Sequence, residues 1–191
     1  MRDRLRFFGL LSLFSIAFFV LGRILFFAYL YPQTSSLSLR EIMMPFALGL
    51  RMDVAMTAYW MIITGLMFTA SPFLSNRTQS RIQGSFSIFF LIICSLIVVA
   101  DLELYKHWGF RINSTPLMYI GSEAAGSISL AVKIALVVIF TFLFVSFLYV
   151  YHKRLAPILS RMDPLEKKWS GAWLAITLAL FIPIRSSFSV A

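Results

Sequence analysis

The stretch Asp101-Leu-Glu-Leu-Tyr-Lys-His-Trp-Gly-Phe-Arg111 decides how the chain is read, because it follows directly on the apolar run from Gly84 to Ala100. It packs two carboxylates, two cations, an imidazole and three aromatic rings into one short span. Charge set against the end of an apolar run is costly unless it sits at headgroup level or lines a polar cavity. The stretch therefore reads as the mouth of a membrane domain, on the face where the chain meets a ligand or a partner.

Composition agrees. Of the 191 residues, 60% are hydrophobic and 13% charged, and mean hydropathy is +0.85. A soluble domain carries about 25% charged residues. Several apolar runs approach or exceed the roughly 20 residues that cross a bilayer. The net charge of +9 fits the cytoplasmic loops of a membrane protein better than a nucleic-acid partner, and no nucleic-acid binding is expected. The single cysteine, Cys94, lies inside an apolar run, where it reads as a small core residue. The two histidines, His107 and His152, fall on opposite sides of the membrane, so no metal site is expected in this chain.

Working outward, the expected fold is an all-α integral membrane bundle. It has five transmembrane helices at about 7–31, 42–74, 84–105, 127–151 and 169–184, with an interfacial segment between the third and fourth. Ser75 to Gln83 reads as a short polar turn and His152 to Lys168 as a basic loop broken by Pro157 and Pro164. Asn113 to Gly126, with Trp108 and Phe110 ahead of it, reads as a segment lying at headgroup depth. Residues 186–191 read as the start of a linker.

Basic residues set the topology. With the N-terminus cytoplasmic, the inner side holds Arg2, Arg4, Arg6, Arg77, Arg81, Lys153, Arg154, Arg161, Lys167 and Lys168. The outer side holds Arg40, Lys106, Arg111, Lys133 and Arg185, so the bias is two to one in the expected direction and the C-terminus lies outside.

That arrangement gathers Arg23, Arg51, Asp53, Asp101, Glu103, Lys106, Arg111 and Lys133 near the outer half of the bilayer, with Tyr105 and Trp108 beside them. Arg23, about 24 Å along its helix from Phe7, is expected to snorkel outward, and so is Lys133. Arg51 and Asp53 point about 200° apart and each addresses a different neighbour. Glu103 and Lys106, three apart, are expected to pair. Three readings of this polar ring stand open: interhelical ion pairs with snorkelling side chains, a site for an anionic or zwitterionic phospholipid headgroup, or a transport path, which no charge at the bilayer midplane supports. The chain has no G-x-S-x-G, P-loop or H-E-x-x-H sequence, and no catalytic residue is assigned.

Gly49-Leu-Arg-Met-Asp53 with Ala58-Tyr59, the Asp101–Arg111 stretch with Thr115-Pro-Leu117, and Ile182-Pro-Ile-Arg185 together resemble the N-terminal membrane domain of the lipoteichoic acid synthase-like, sulfatase-family phosphoglycerol transferases. The resemblance covers nearly the whole chain. It implies five transmembrane helices in a bacterial inner membrane, then a linker and a large extracytoplasmic domain of the alkaline phosphatase superfamily. That domain would hold a nucleophilic threonine and a divalent metal such as Mn or Mg, and would transfer phosphoglycerol or phosphoethanolamine from phospholipid. The family usually has glycines after the arginine matching Arg185, whereas Ser186-Ser-Phe-Ser-Val-Ala191 follows here. The chain thus reads as a membrane anchor without catalytic centre or cofactor of its own, its partners being the bilayer, a phospholipid headgroup and the extracytoplasmic domain. A stand-alone five-helix transporter and a non-enzymatic docking partner are the competing readings.

Overall fold

The computed structural model describes residues 1–109, 129–162 and 165–188, and every regular element among them is helical. Helix α1 spans Arg2–Tyr29 and is followed by a single turn, α2, at Tyr31–Thr34. Helix α3 spans Leu39–Thr69 and α4 spans Asn76–Trp108. Helix α5, Leu130–Val150, runs through a π-turn at Tyr151–Leu155 into α6, Ala156–Ser160. Helices α7, Ser170–Ala179, and α8, Phe181–Phe188, close the described chain. Four helices are long and apolar enough to cross a membrane: Arg2–Tyr29, Leu39–Thr69, Asn76–His107 and Leu130–Ser160.

Serine side chains set the starts of three of these helices. At α3, Ser38 Oγ accepts the Glu41 N–H while the Glu41 carboxylate accepts the Ser38 N–H at 2.7 Å, a complete capping box. Ser75 Oγ accepts the Thr78 N–H at 3.2 Å, and Ser129 Oγ accepts the Val132 N–H at 3.4 Å. Helix α4 stops at Gly109, whose φ of 71° is the left-handed conformation that terminates helices.

Several expected boundaries are corrected. The segment 75–83 is not a turn: the Ser75 cap starts α4 at Asn76, well ahead of Gly84. Helix α1 begins at Arg2 rather than at residue 7, and α3 ends at Thr69 rather than at 74. The expected basic loop is helical through Ser160. Pro157 does not break it, because the π-turn lies over the position where its ring meets the preceding turn. The segment expected as the fifth crossing is two helices. Pro183 clashes with the carbonyl four residues before it, that of Ala179, and α7 ends there. Residues 186–188, expected as linker, complete α8. The interfacial segment expected at 113–126 lies outside the described residues.

Helix α3 packs against α1, α7 and α8, and α1 lines the aromatic core. The buried stripe of α1 is Arg4, Phe7, Leu11, Phe14, Ser15, Phe18 and Gly22, at the three- and four-residue spacing of one helix face. Phe14 meets Trp60 of α3 edge-on at 5.8 Å and Phe147 of α5 at 5.1 Å, while Phe8 meets Trp173 of α7 at 5.4 Å. Such edge-to-face pairs add about 0.5–1.5 kcal/mol each beyond their burial. Small residues admit the closest helix approaches. A Cβ at Gly22 would sit 3.3 Å from Val98 of α4, and one at Gly65 would fall on the Thr177 hydroxyl of α7.

Gly84 of α4, by contrast, has nothing within 4 Å of a Cβ position. Thermal unfolding in detergent should separate these glycines. Gly65→Ala should cost about 1–3 kcal/mol by overpacking α3 on α7, whereas Gly84→Ala should be neutral or stabilising by roughly 0.5–1 kcal/mol.

Candidate functional site

The polar end of the bundle lies where α1 and α4 finish. Arg23 of α1 and Asp53 of α3 form a two-pronged ion pair, Nη1 to Oδ2 at 2.6 Å and Nη2 to Oδ1 at 2.5 Å, with side chains only 10% and 6% exposed. The planar fork of the guanidinium matches the carboxylate, and the geometry satisfies both charges away from water. Arg23 therefore does not snorkel as expected. Gly49 makes the pairing possible, because a Cβ there would occupy the space of the guanidinium.

Six residues further along α1, about 9 Å on and on a different face, Tyr29 reaches α4. Its hydroxyl donates to Glu103 Oε2 at 2.5 Å, and His107 Nε2 lies 2.8 Å from Glu103 Oε1. The expected Glu103–Lys106 pair is thus replaced: Glu103, 6% exposed, is held by Tyr29 from α1 and by His107 one turn on along its own helix. Lys106 instead places its ammonium 5.6 Å over the Tyr29 ring, a cation–π contact that leaves the charge at the surface. Tyr105 packs edge-on against Phe26 of α1, with ring centroids 4.9 Å apart.

Of the remaining expected site residues, Asp101 is buried on α4 and Arg51 is exposed on α3. Lys133 is exposed in the first turn of α5, and no ion pair joins it to the ring among the described residues. Trp108 is the last residue of α4, and Arg111 lies outside the described residues. The fold therefore assembles two clusters, Arg23 with Asp53 and Tyr29 with Glu103, His107 and Lys106, both anchored on α1.

Sequence reasoning missed Tyr29, His107 and Gly49. His107 carried a legible signal, four residues after Glu103 on one helix face. Tyr29 and Gly49 act across helices, and no local pattern marks them. It also missed a second polar cluster at the opposite end. There Arg4 donates to Ser71 Oγ at 2.8 Å, and the Thr64 hydroxyl donates to Gln83 Oε1 at 3.0 Å. Gln83 Nε2 in turn donates to Ser87 Oγ at 3.2 Å, and Asn76 donates to the Met162 carbonyl at 2.6 Å.

The chemistry of the ring is that of holding and presenting charge. Two buried hydroxyls elsewhere bond within their own helices, Ser15 donating to the Leu11 carbonyl at 2.9 Å and Thr177 to that of Trp173 at 2.7 Å. Among the described residues no three His, Cys, Asp or Glu side chains gather in a metal-binding group. Comparison with family models, with characterised proteins and with solved structures finds no match to this chain.

Removing one partner of a buried ion pair leaves the other charge stranded, at a cost of about 3–5 kcal/mol, whereas replacing both by apolar groups is often neutral. Asp53→Leu and Arg23→Met should each lower unfolding stability by about that amount. The double variant should recover most of the loss; additive losses would mean that the two side chains do not act as a pair.

Proposed function

We propose that this chain is the membrane domain of a sulfatase-like phosphoglycerol or phosphoethanolamine transferase, and that its polar end engages the headgroup of a donor phospholipid at the outer leaflet. One observation carries the headgroup reading. The buried carboxylates Asp53 and Glu103 are each held internally, while Lys106 and Lys133 stand exposed at the same end of the bundle. Surface cations beside internally neutralised acids attract a phosphate rather than collapse onto their own carboxylates. The attribution to this transferase class rests on the resemblance of the motifs around Arg51, Asp53, Asp101, Glu103 and Arg185, and the four long apolar helices are compatible with it.

On this reading the reaction belongs to a metal-dependent extracytoplasmic domain, and the helices hold the lipid and the domain in register. The purified chain, reconstituted in phosphatidylcholine nanodiscs doped with phosphatidylglycerol, should retain phosphatidylglycerol on mass analysis. The double variant Lys106→Gln with Lys133→Gln should lower the occupancy of one phosphatidylglycerol site roughly tenfold, about one charge-assisted contact, with thermal stability falling by no more than the roughly 0.5–1 kcal/mol of the exposed Lys106–Tyr29 contact. Equal retention in the variant would remove the headgroup role.

A further inference from the structure

We infer that the groove at the π-turn, at the end of the bundle opposite the polar ring, is a second lipid site that takes the phosphate of an anionic diacyl phospholipid. The groove encloses about 380 Å³ between the start of α4 and the turn joining α5 to α6, within the size range of small-molecule sites. Ser80 and Gly84 of α4 form one wall. His152, Pro157, Leu159 and Arg161 form the other.

Three features of this wall pattern fit that occupant. The first is charge. His152 and Arg161 are exposed at the groove, and no Asp or Glu lines it among the described residues. No ion pair engages Arg161 among the described residues either. Lys153, between them in the chain, is spent elsewhere, on the Tyr149 hydroxyl at 2.8 Å.

The second is depth. Ser80 and Gly84 lie about 6 and 12 Å along α4 from Asn76, which places the groove at the passage from headgroups to acyl chains if α4 crosses a bilayer. Basic pockets between helices at that level bind anionic headgroups. The third is the apolar wall. Gly84, Pro157 and Leu159 have nothing to offer a free hydrated phosphate, but they match the first methylenes of a lipid tail.

The π-turn makes the space. Its wider turn, closed by the Ala156 N–H donating to the Tyr151 carbonyl, carries the chain past Pro157 and sets Arg161 beyond the end of α6. Gly84 keeps the facing wall open, since a Cβ there meets nothing within 4 Å.

The test uses the full chain in phosphatidylcholine nanodiscs doped with phosphatidylglycerol, with retained lipid counted by native mass spectrometry. Gly84→Leu puts bulk into the groove from a position where a Cβ meets nothing within 4 Å, and Arg161→Gln removes the exposed charge. Each should lower the occupancy of this one site roughly tenfold, seen as loss of the phosphatidylglycerol that the polar-ring variants leave bound, the loss of one charge-assisted contact. Arg161→Lys should restore part of it, and thermal stability should not fall. Doping with diacylglycerol, which lacks the phosphate, should give no retention at this site. Wild-type retention in both variants would overturn the proposal. So would equal retention of diacylglycerol, which would make the groove a purely apolar contact, or displacement of the lipid by millimolar inorganic phosphate, which would make it a free-anion site. Ser80 and Lys106 are about 39 Å apart along α4, so these variants report independently of those at the polar ring.

Discussion

A guanidinium and a carboxylate enclosed among apolar helices are tolerable only when each satisfies the other, and the Arg23–Asp53 pair meets that condition with two aligned hydrogen bonds. Much of the bundle is arranged to allow it. Gly49 clears the space for the fork, and α3 must approach α1 closely enough for a short acidic side chain to reach it. Once that contact is fixed, the register of α1 against α3 is fixed too. The aromatic layers follow: Phe14 on Trp60 and, toward the other end, Phe7 on Phe68 at 6.0 Å. The pair costs desolvation and returns specificity of register, since an apolar stripe alone allows neighbouring helices to slide by a turn.

The same helix carries the connection to α4. Tyr29 and Arg23 lie on different faces of α1, so one rigid element orients a carboxylate on α3 and another on α4. Two of the charges exposed at that end, those of Lys106 and Lys133, are cations, while the buried carboxylates near them are held by other side chains. That division between charges that hold and charges that face outward is the physical content of the functional reading.

The apolar runs, and the charge gathered where α4 ends, were legible in the sequence, because bilayer thickness and the cost of buried charge act on composition directly. Asp53 was expected to address a neighbouring helix, and it does. Its partner was not legible: Arg23 within reach of an interface and Arg23 facing an acid look alike until the fold brings a residue 30 positions away alongside. Glu103 had candidates at both three and four residues along its helix, and the choice of His107 is a matter of rotamers and of the space Tyr29 occupies. The start of α4 was hidden because Ser75, Asn76 and Arg77 resemble turn chemistry; Ser75 is polar because it caps, and Gln79 and Gln83 because they bond within the bundle. Pro183 lay in plain view, yet a mean over an apolar window takes no account of a missing N–H.

Biogenesis inherits one of these contacts. As the chain emerges from the ribosome, α1 is complete before any residue of α3 has been made, so in a helix inserted in chain order Arg23 would meet lipid ahead of its counter-ion. An arginine inside a lone helix costs about 2.5–3.5 kcal/mol on insertion scales at the bilayer centre. For a helix that inserts in chain order, the apolar residues of α1 must outweigh that penalty until α3 is made. Asp53 completes the contact, so in chain-ordered insertion the pair closes only once α3 is in place.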